Sequence, residues 1–214
     1  MVEKLTKFDI KINHENVLWL IDCTKESKIH KKVLAELEGI SDGAYERINP
    51  VALLAFGELD GFKLSHYEGV ENQALFCIMS IGAKISQWST QFFKEGDYLK
   101  GMLVDAVADD YLFQMSNRIK EPIIKSCKLR NFGVQRRLEA PQDICMSIQK
   151  RAWELTNAKV EAGIGIKESF MLDPVKSNCH IYLLKENSQI YNVSHDCSNC
   201  SNMTCKLRDK NVYG

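Results

Sequence analysis

The residues with the clearest chemical potential lie near the C-terminal end, where Cys197-x-x-Cys200-x4-Cys205 follows His195-Asp196. A Cys-x-x-Cys turn lets two thiolates face one metal ion, and a third cysteine a few residues on closes the same loop around it. Three thiolates and a fourth ligand suit a tetrahedral zinc or an iron-sulfur cluster. The same spacing also describes three oxidisable thiols in a metal-free tail. Cys179, on an apolar stretch shortly before the tail, is the first candidate for fourth ligand, and His195 the second. Lys206 and Arg208 favour a net-negative thiolate group beside them. The surrounding run from Ser194 to Arg208 is rich in Ser, Asn and Asp and nearly free of aliphatic residues, so a core does not need it.

The other cysteines read differently. Cys23, Cys77, Cys127 and Cys145, like Cys179, stand in or beside apolar stretches, where a thiol is a small buried hydrophobe. His14, His30 and His66 sit singly among polar residues and are expected at the surface. Neither a Gly-rich phosphate loop nor a nucleophile elbow is present.

The chain has 214 residues, with 28 Lys or Arg against 28 Asp or Glu and 8 Cys. A zero formal charge argues against nucleic-acid binding, which depends on an excess of cations. No apolar run approaches the ~20 residues of a membrane span, and no secretory signal pattern opens the chain. A cytoplasmic protein without membrane contact is expected, with reduced thiols.

The elements that must position these residues follow from periodicity. Lys4 to Ile12 alternates as a strand; Asn16 to Ile21 and Ser27 to Leu37 are helical, with Ser27 as N-cap. Ile48 to Phe56 and Gln73 to Ile81 are strand-length apolar runs joined by the polar link Gly57 to Gly69. Helical spacing begins at Ile85, breaks at Gly96-Asp97, and resumes from Tyr98 to Ile119. Arg130 to Pro141 is basic and irregular. A helix spans Gln142 to Asn157, with Asp143 in its first turn, and Gly163 to Ile166, Phe170 to Leu172, His180 to Leu184 and Ile190 to Val193 are extended. This order predicts an α+β fold with helices packed against a curved, mostly antiparallel sheet.

Three segments, in order, resemble the activation (reactivation) domain of cobalamin-dependent methionine synthase and its stand-alone relatives. The first runs from Ile81-Gly82 through Asp105-Ala106 and contains FFKEGDYLKGMLVDAVADDYL, similar to a Gly-containing strand end followed by a long helix. The second, RRLEAPQDICMSIQKRAWEL from Arg136 to Leu155, is similar to the Arg-x-x-Pro-Gly-Tyr loop and its following helix. The third, GIGIKESFMLDPVKSNCHIYL from Gly163 to Leu183, resembles the Glu-Ser-x-Met-x-x-Pro-x-x-Ser run and its strand. With a weaker match at Asn49-Pro50, the resemblance covers about residues 45 to 193.

The resemblance implies an activation-domain-like unit over residues 1-193 and a Cys-rich segment over 194-214. It implies S-adenosylmethionine as ligand, cobalamin carried by a partner corrinoid-binding methyltransferase, and reductive reactivation of that partner. Arg137 matches the loop arginine, whose planar fork suits a carboxylate, and Tyr182 matches the aromatic residue bordering the ligand. The loop's Gly-Tyr is here Pro141-Gln142. The acidic residue expected on the long helix falls near Phe113, with Asp109 and Asp110 about one turn earlier as substitutes. The need for a low-potential electron leans the tail toward an iron-sulfur cluster, with zinc as the alternative. A second expectation, from a different class, is a non-catalytic module that binds a corrinoid or a corrinoid protein.

Overall fold

A computed structural model describes residues 1–59, 61–62, 72–200, 203, 205 and 206. His66, Arg208 and most of the Gly57 to Gly69 link lie outside the described residues. The chain opens with β1 (Val2–Leu5), α1 (His14–Leu20), α2 (His30–Arg47), β2 (Val51–Glu58) and β3 (Gln73–Ser80). Three helices come next, α3 (Lys84–Glu95), α4 (Tyr98–Arg118) and α5 (Lys120–Lys128), and then β4 (Phe132–Leu138). The remainder is α6 (Ile148–Leu155), α7 (Ala158–Ala162), β5 (Gly165–Ile166), β6 (Leu172–Asp173) and β7 (Ser177–Glu186).

Among the described residues, β1, β2, β3, β7 and β4 pair in that order as one antiparallel sheet, and β5 pairs with β6. Central strands covered on both faces read as unbroken apolar runs, and β3 is such a strand. Its Leu75, Cys77 and Met79 join Val33, Leu37, Leu103, Val107 and Ile123 of the larger helices in one core. Its Ala74, Phe76 and Ile78 join Ile148, Ala152, Ala158 and Leu172 in a second core on the opposite face. The α+β expectation holds, with helices on both sides of the sheet.

Several boundaries differ, each for a local reason. β1 ends at Leu5, yet Ile10 and Ile12 are buried. Alternation survives there because every second side chain plugs the core, while the Ile12 amide donates to Tyr45 Oη at 2.7 Å instead of a strand partner. Asn13, not part of a strand, caps α1 by accepting from the Asn16 amide. The second helix starts three residues later than Ser27, whose carbonyl accepts from the His30 amide in a preceding turn. The basic stretch after Arg130 is the edge strand β4 rather than irregular chain. The helix expected from Gln142 begins only at Ile148. Asp143 is diverted from a helix start because its carboxylate accepts from Arg136 Nη2 at 2.8 Å and from the Glu139 amide at 3.0 Å.

The extended run Ile190 to Val193 lies along β4. The Val134 amide donates to Ile190 O at 2.7 Å, the Asn192 amide donates to Val134 O at 2.9 Å, and Tyr191 forms a parallel bridge with Val134. An exposed edge of unpaired amides is thereby partly covered. Gly133 permits the approach: a Cβ there would meet Ile190 O and Ser188 at 2.7 Å.

Candidate functional site

Arg137 is placed by an irregularity in β4. Pairing with β7 runs Phe132↔Glu186, Gly133↔Lys185 and Val134↔Leu184, then resumes at Arg136↔Leu183 and Arg137↔Tyr182. Gln135 is the extra residue, and such a bulge re-aims the side chains beyond it. Without it, Arg137 and Val134 would point to opposite faces by simple alternation. With it, Arg137 joins Tyr182 on the face that α4 and α5 cover, where Tyr182 belongs to the larger core.

Around Arg137 the side chains form a chain of contacts that ends in the C-terminal segment. Its guanidinium is ion-paired to Glu139 and donates from Nη2 to His180 Nε2 at 2.9 Å. Glu139 Oε1 also lies 3.0 Å from His195 Nδ1. Cys200 Sγ donates to Gln142 Oε1 at 3.3 Å. Burial alone would raise the Glu139 pKa, but the His195 hydrogen bond and the Arg137 charge outweigh it and hold the carboxyl below its usual range. The hydrogen bond from His195 to Glu139 pushes the imidazole up to about 9. His180 goes the other way, to about 3, because it is buried and faces Arg137. Burial, with Glu139 nearby, pushes the Cys179 thiol up to about 12.

The residues singled out in the sequence are thus distributed over more than one place. Arg137 and Tyr182 are cross-strand partners, but Tyr182 is wholly buried, so its ring lies beneath the rim rather than facing solvent. Asp109 sits toward the other end of β7, 2.7 Å from Lys176 Nζ, with Asp105 at 2.9 Å from the same ammonium. Ser177 and Tyr182, which mark those two ends, are five strand positions or roughly 17 Å apart. Burial raises the Asp109 pKa, and Lys176 offsets part of that. Asp110 is fully buried and accepts from the Asn13 amide, Asn16 Nδ2 and Gln114 Nε2. Its carboxylate staples the N-terminal segment to α4.

In the tail, Cys197 opens a short 3-10 turn, and the Cys200 amide donates to Cys197 O at 3.4 Å. Among the described residues no three Cys, His, Asp or Glu side chains come together as a metal-binding group. Cys179 packs against the second core, and His195 and Cys200, which hydrogen-bond to one another, also contact Glu139 and Gln142. The donor set for an iron-sulfur cluster or a zinc ion is therefore not assembled in this arrangement. Lys206, expected beside a thiolate group, instead contacts Leu20 O at 2.8 Å and Asp22 Oδ1 at 2.7 Å.

Glu139, His180 and Gln142 were not singled out by sequence reasoning. Two had a usable signal: Glu139 stands two residues from Arg137, and His180 two from Tyr182, so strand periodicity puts each beside its neighbour.

Among solved structures, this architecture matches the MetH reactivation domain bound to AdoHcy. The TM-score is 0.61 at 12% identity, covering 92% of this chain and 82% of the other. The fold is the reactivation-domain fold. No protein-family model matches the sequence, and no curated protein matches it. The likeness therefore rests on the shape of the chain. The reactivation-domain fold accounts for the antiparallel sheet with helices that the three sequence segments had implied. Among the described residues no helix is long and apolar enough to cross a membrane.

Proposed function

We propose that this protein is an accessory to corrinoid-dependent methyl transfer. It docks on a corrinoid-binding methyltransferase protein or domain and supports the reductive return of its cob(II) state to methylcobalamin. The observation that carries this reading is the extent of the fold match, 92% of this chain against a reactivation domain solved with AdoHcy. AdoHcy is what S-adenosylmethionine becomes on losing its methyl group, which makes S-adenosylmethionine the ligand to test.

The rim of β4 has the groups for such a ligand. Arg137 would hold the methionine carboxylate, since a guanidinium donates two parallel hydrogen bonds to one. Glu139 now occupies Arg137, and its side chain and that of His195 are each 31% exposed. Released from Arg137, the Glu139 carboxylate would face the ligand's ammonium, with Gln142 beside it on the loop. When bound, S-adenosylmethionine supplies an activated methyl group; the chain's part is to bind and orient it. The reading routes no electron through Cys197, Cys200 and Cys205, because their donor set is not assembled. Iron and sulfide analysis of anaerobically purified protein tests that separately: stoichiometric iron that is lost in Cys197→Ser and Cys200→Ser would restore the electron-transfer role.

Calorimetric titration with S-adenosylmethionine is expected to show binding that weakens at least tenfold, about 1.4 kcal/mol, in Arg137→Ala. No heat with the parent protein removes this ligand from the proposal. Spectra of a partner's cob(II)alamin, recorded with and without this protein, test docking; identical spectra would sink the accessory role.

A further inference from the structure

The Cys197-x-x-Cys200 pair is held in a turn of defined shape. The Cys200 amide donates to Cys197 O at 3.4 Å across the 3-10 turn Cys197–Asn199. A turn closed from residue i to residue i+3 keeps its end Cα atoms within about 7 Å, and 3-10 geometry brings the side chains of i and i+3 to the same side. A disulfide needs Cα atoms roughly 4.4–6.8 Å apart, so these two thiols can be joined without displacing the sheet. Cys197 and Cys200 are both partly exposed, unlike the buried Cys23, Cys77 and Cys127.

The turn is anchored along its length. Before it, His195 Nδ1 lies 3.0 Å from Glu139 Oε1, and Ser198 Oγ donates to Asp196 Oδ1 at 2.6 Å. At its end, Cys200 Sγ donates to Gln142 Oε1 at 3.3 Å and is also hydrogen-bonded to His195. Beyond it, Lys206 Nζ donates to Leu20 O at 2.8 Å. An imidazole hydrogen-bonded to a thiol favours the thiolate, and the thiolate is the form that attacks a disulfide. The Gln142 amide, turned over, offers that anion an N–H.

We propose that Cys197 and Cys200 form a thiol–disulfide exchange site whose co-reactant is the disulfide of a small thiol, RSSR. The Cys200 thiolate attacks one sulfur of RSSR. A Cys200–S–S–R bond forms, the RS–SR bond breaks, and the departing RS⁻ takes up the proton that Cys200 gave up. The Cys197 thiolate then attacks Cys200 Sγ and expels the second RS⁻, which takes the Cys197 proton. Two electrons pass from the protein to RSSR, which leaves as two RSH. Cys200 is the entry thiol because His195 and Gln142 both touch it; Cys197 resolves the mixed disulfide. The site does not depend on S-adenosylmethionine binding at the rim, and failure of that ligand to bind leaves it intact.

The test uses the full chain, reduced and then incubated with glutathione disulfide as probe. Peptide mapping, after alkylation of the remaining thiols, is expected to find Cys197 joined to Cys200. Cys197→Ser should accumulate a stable glutathione adduct on Cys200, because no resolving thiol is present. His195→Gln should slow formation of the mixed disulfide roughly tenfold. The mapping of the parent protein does not depend on either variant folding. A disulfide that joins Cys197 or Cys200 to Cys145 or Cys205 instead, a parent that keeps the glutathione adduct unresolved, equal rates in the parent and His195→Gln, or stoichiometric zinc or iron that is lost in Cys197→Ser would each overturn the proposal.

Discussion

Replacing Glu139 by Gln tests whether the C-terminal segment is held to the rim of β4 by charge. Glu139 lies against Arg137 and His195, and its hydrogen bond raises the His195 pKa from 6.5 to about 9. At about 1.4 kcal/mol per tenfold, that displacement corresponds to roughly 3 kcal/mol. His195 keeps 31% of its side-chain exposure, so solvent screening reduces the figure to about 1–2 kcal/mol. A folded-state pKa raised above the unfolded value contributes stability that is fully present below pH 6.5 and is lost as pH rises through about 9. The parent protein should therefore lose about 1–2 kcal/mol across that window through this group, and Glu139→Gln should lose almost none of it. Loss of the Arg137 partner adds a pH-independent offset that leaves the slope unaffected. Urea unfolding at several pH values gives the slopes, and an NMR titration of the His195 ring gives the pKa. Equal slopes in the two proteins, or a His195 that titrates near 6.5 in the parent, would refute the reasoning.

Three further outcomes are expected. Asp110→Asn places an amide among the donors of Asn13, Asn16 and Gln114, and should destabilise by about 2–3 kcal/mol, measured by urea unfolding. Gly133→Ala drives a methyl into Ile190 O and Ser188; a cost of about 1–3 kcal/mol and faster proteolysis after Glu186 should result as the segment leaves β4. His180, with a pKa depressed to about 3, contributes stability above pH 6.5 that is lost as pH falls toward 3, so His180→Gln should flatten the acid limb of the stability profile. An acid limb unchanged in that variant would show that His180 is not held neutral in the fold.

The pattern of β3 made a buried strand legible, since six of its side chains alternate between two cores and no polar face interrupts them. The long helix from Tyr98 was legible for the same reason, with Asp97 accepting from the Lys100 amide at its start. β4 was not. Its exposed edge and basic residues carry no apolar run, and the bulge at Gln135 breaks the alternation that would have revealed it. Asp110 was a candidate ligand group because only one of its partners, Gln114 at the i+4 position, is near in the sequence; the other two, Asn13 and Asn16, are more than ninety residues away.

The cysteine tail shows the same division. The sequence by itself determined that Cys197, Cys200 and Cys205 stand apart from the scattered thiols, because spacing and local polarity are one-dimensional facts; of the scattered ones Cys23, Cys77 and Cys127 are buried, whereas Cys145 is exposed. It also determined the α+β class, because helical and strand periods come from the backbone alone. Only the tertiary structure decided that the tail lies along β4, with His195 on Glu139 and Cys200 on Gln142. It alone decided that Arg137, His180 and Tyr182 form one buried cluster. Cross-strand register and a single bulge fix which distant side chains share a face, and neither leaves a mark in the order of the residues.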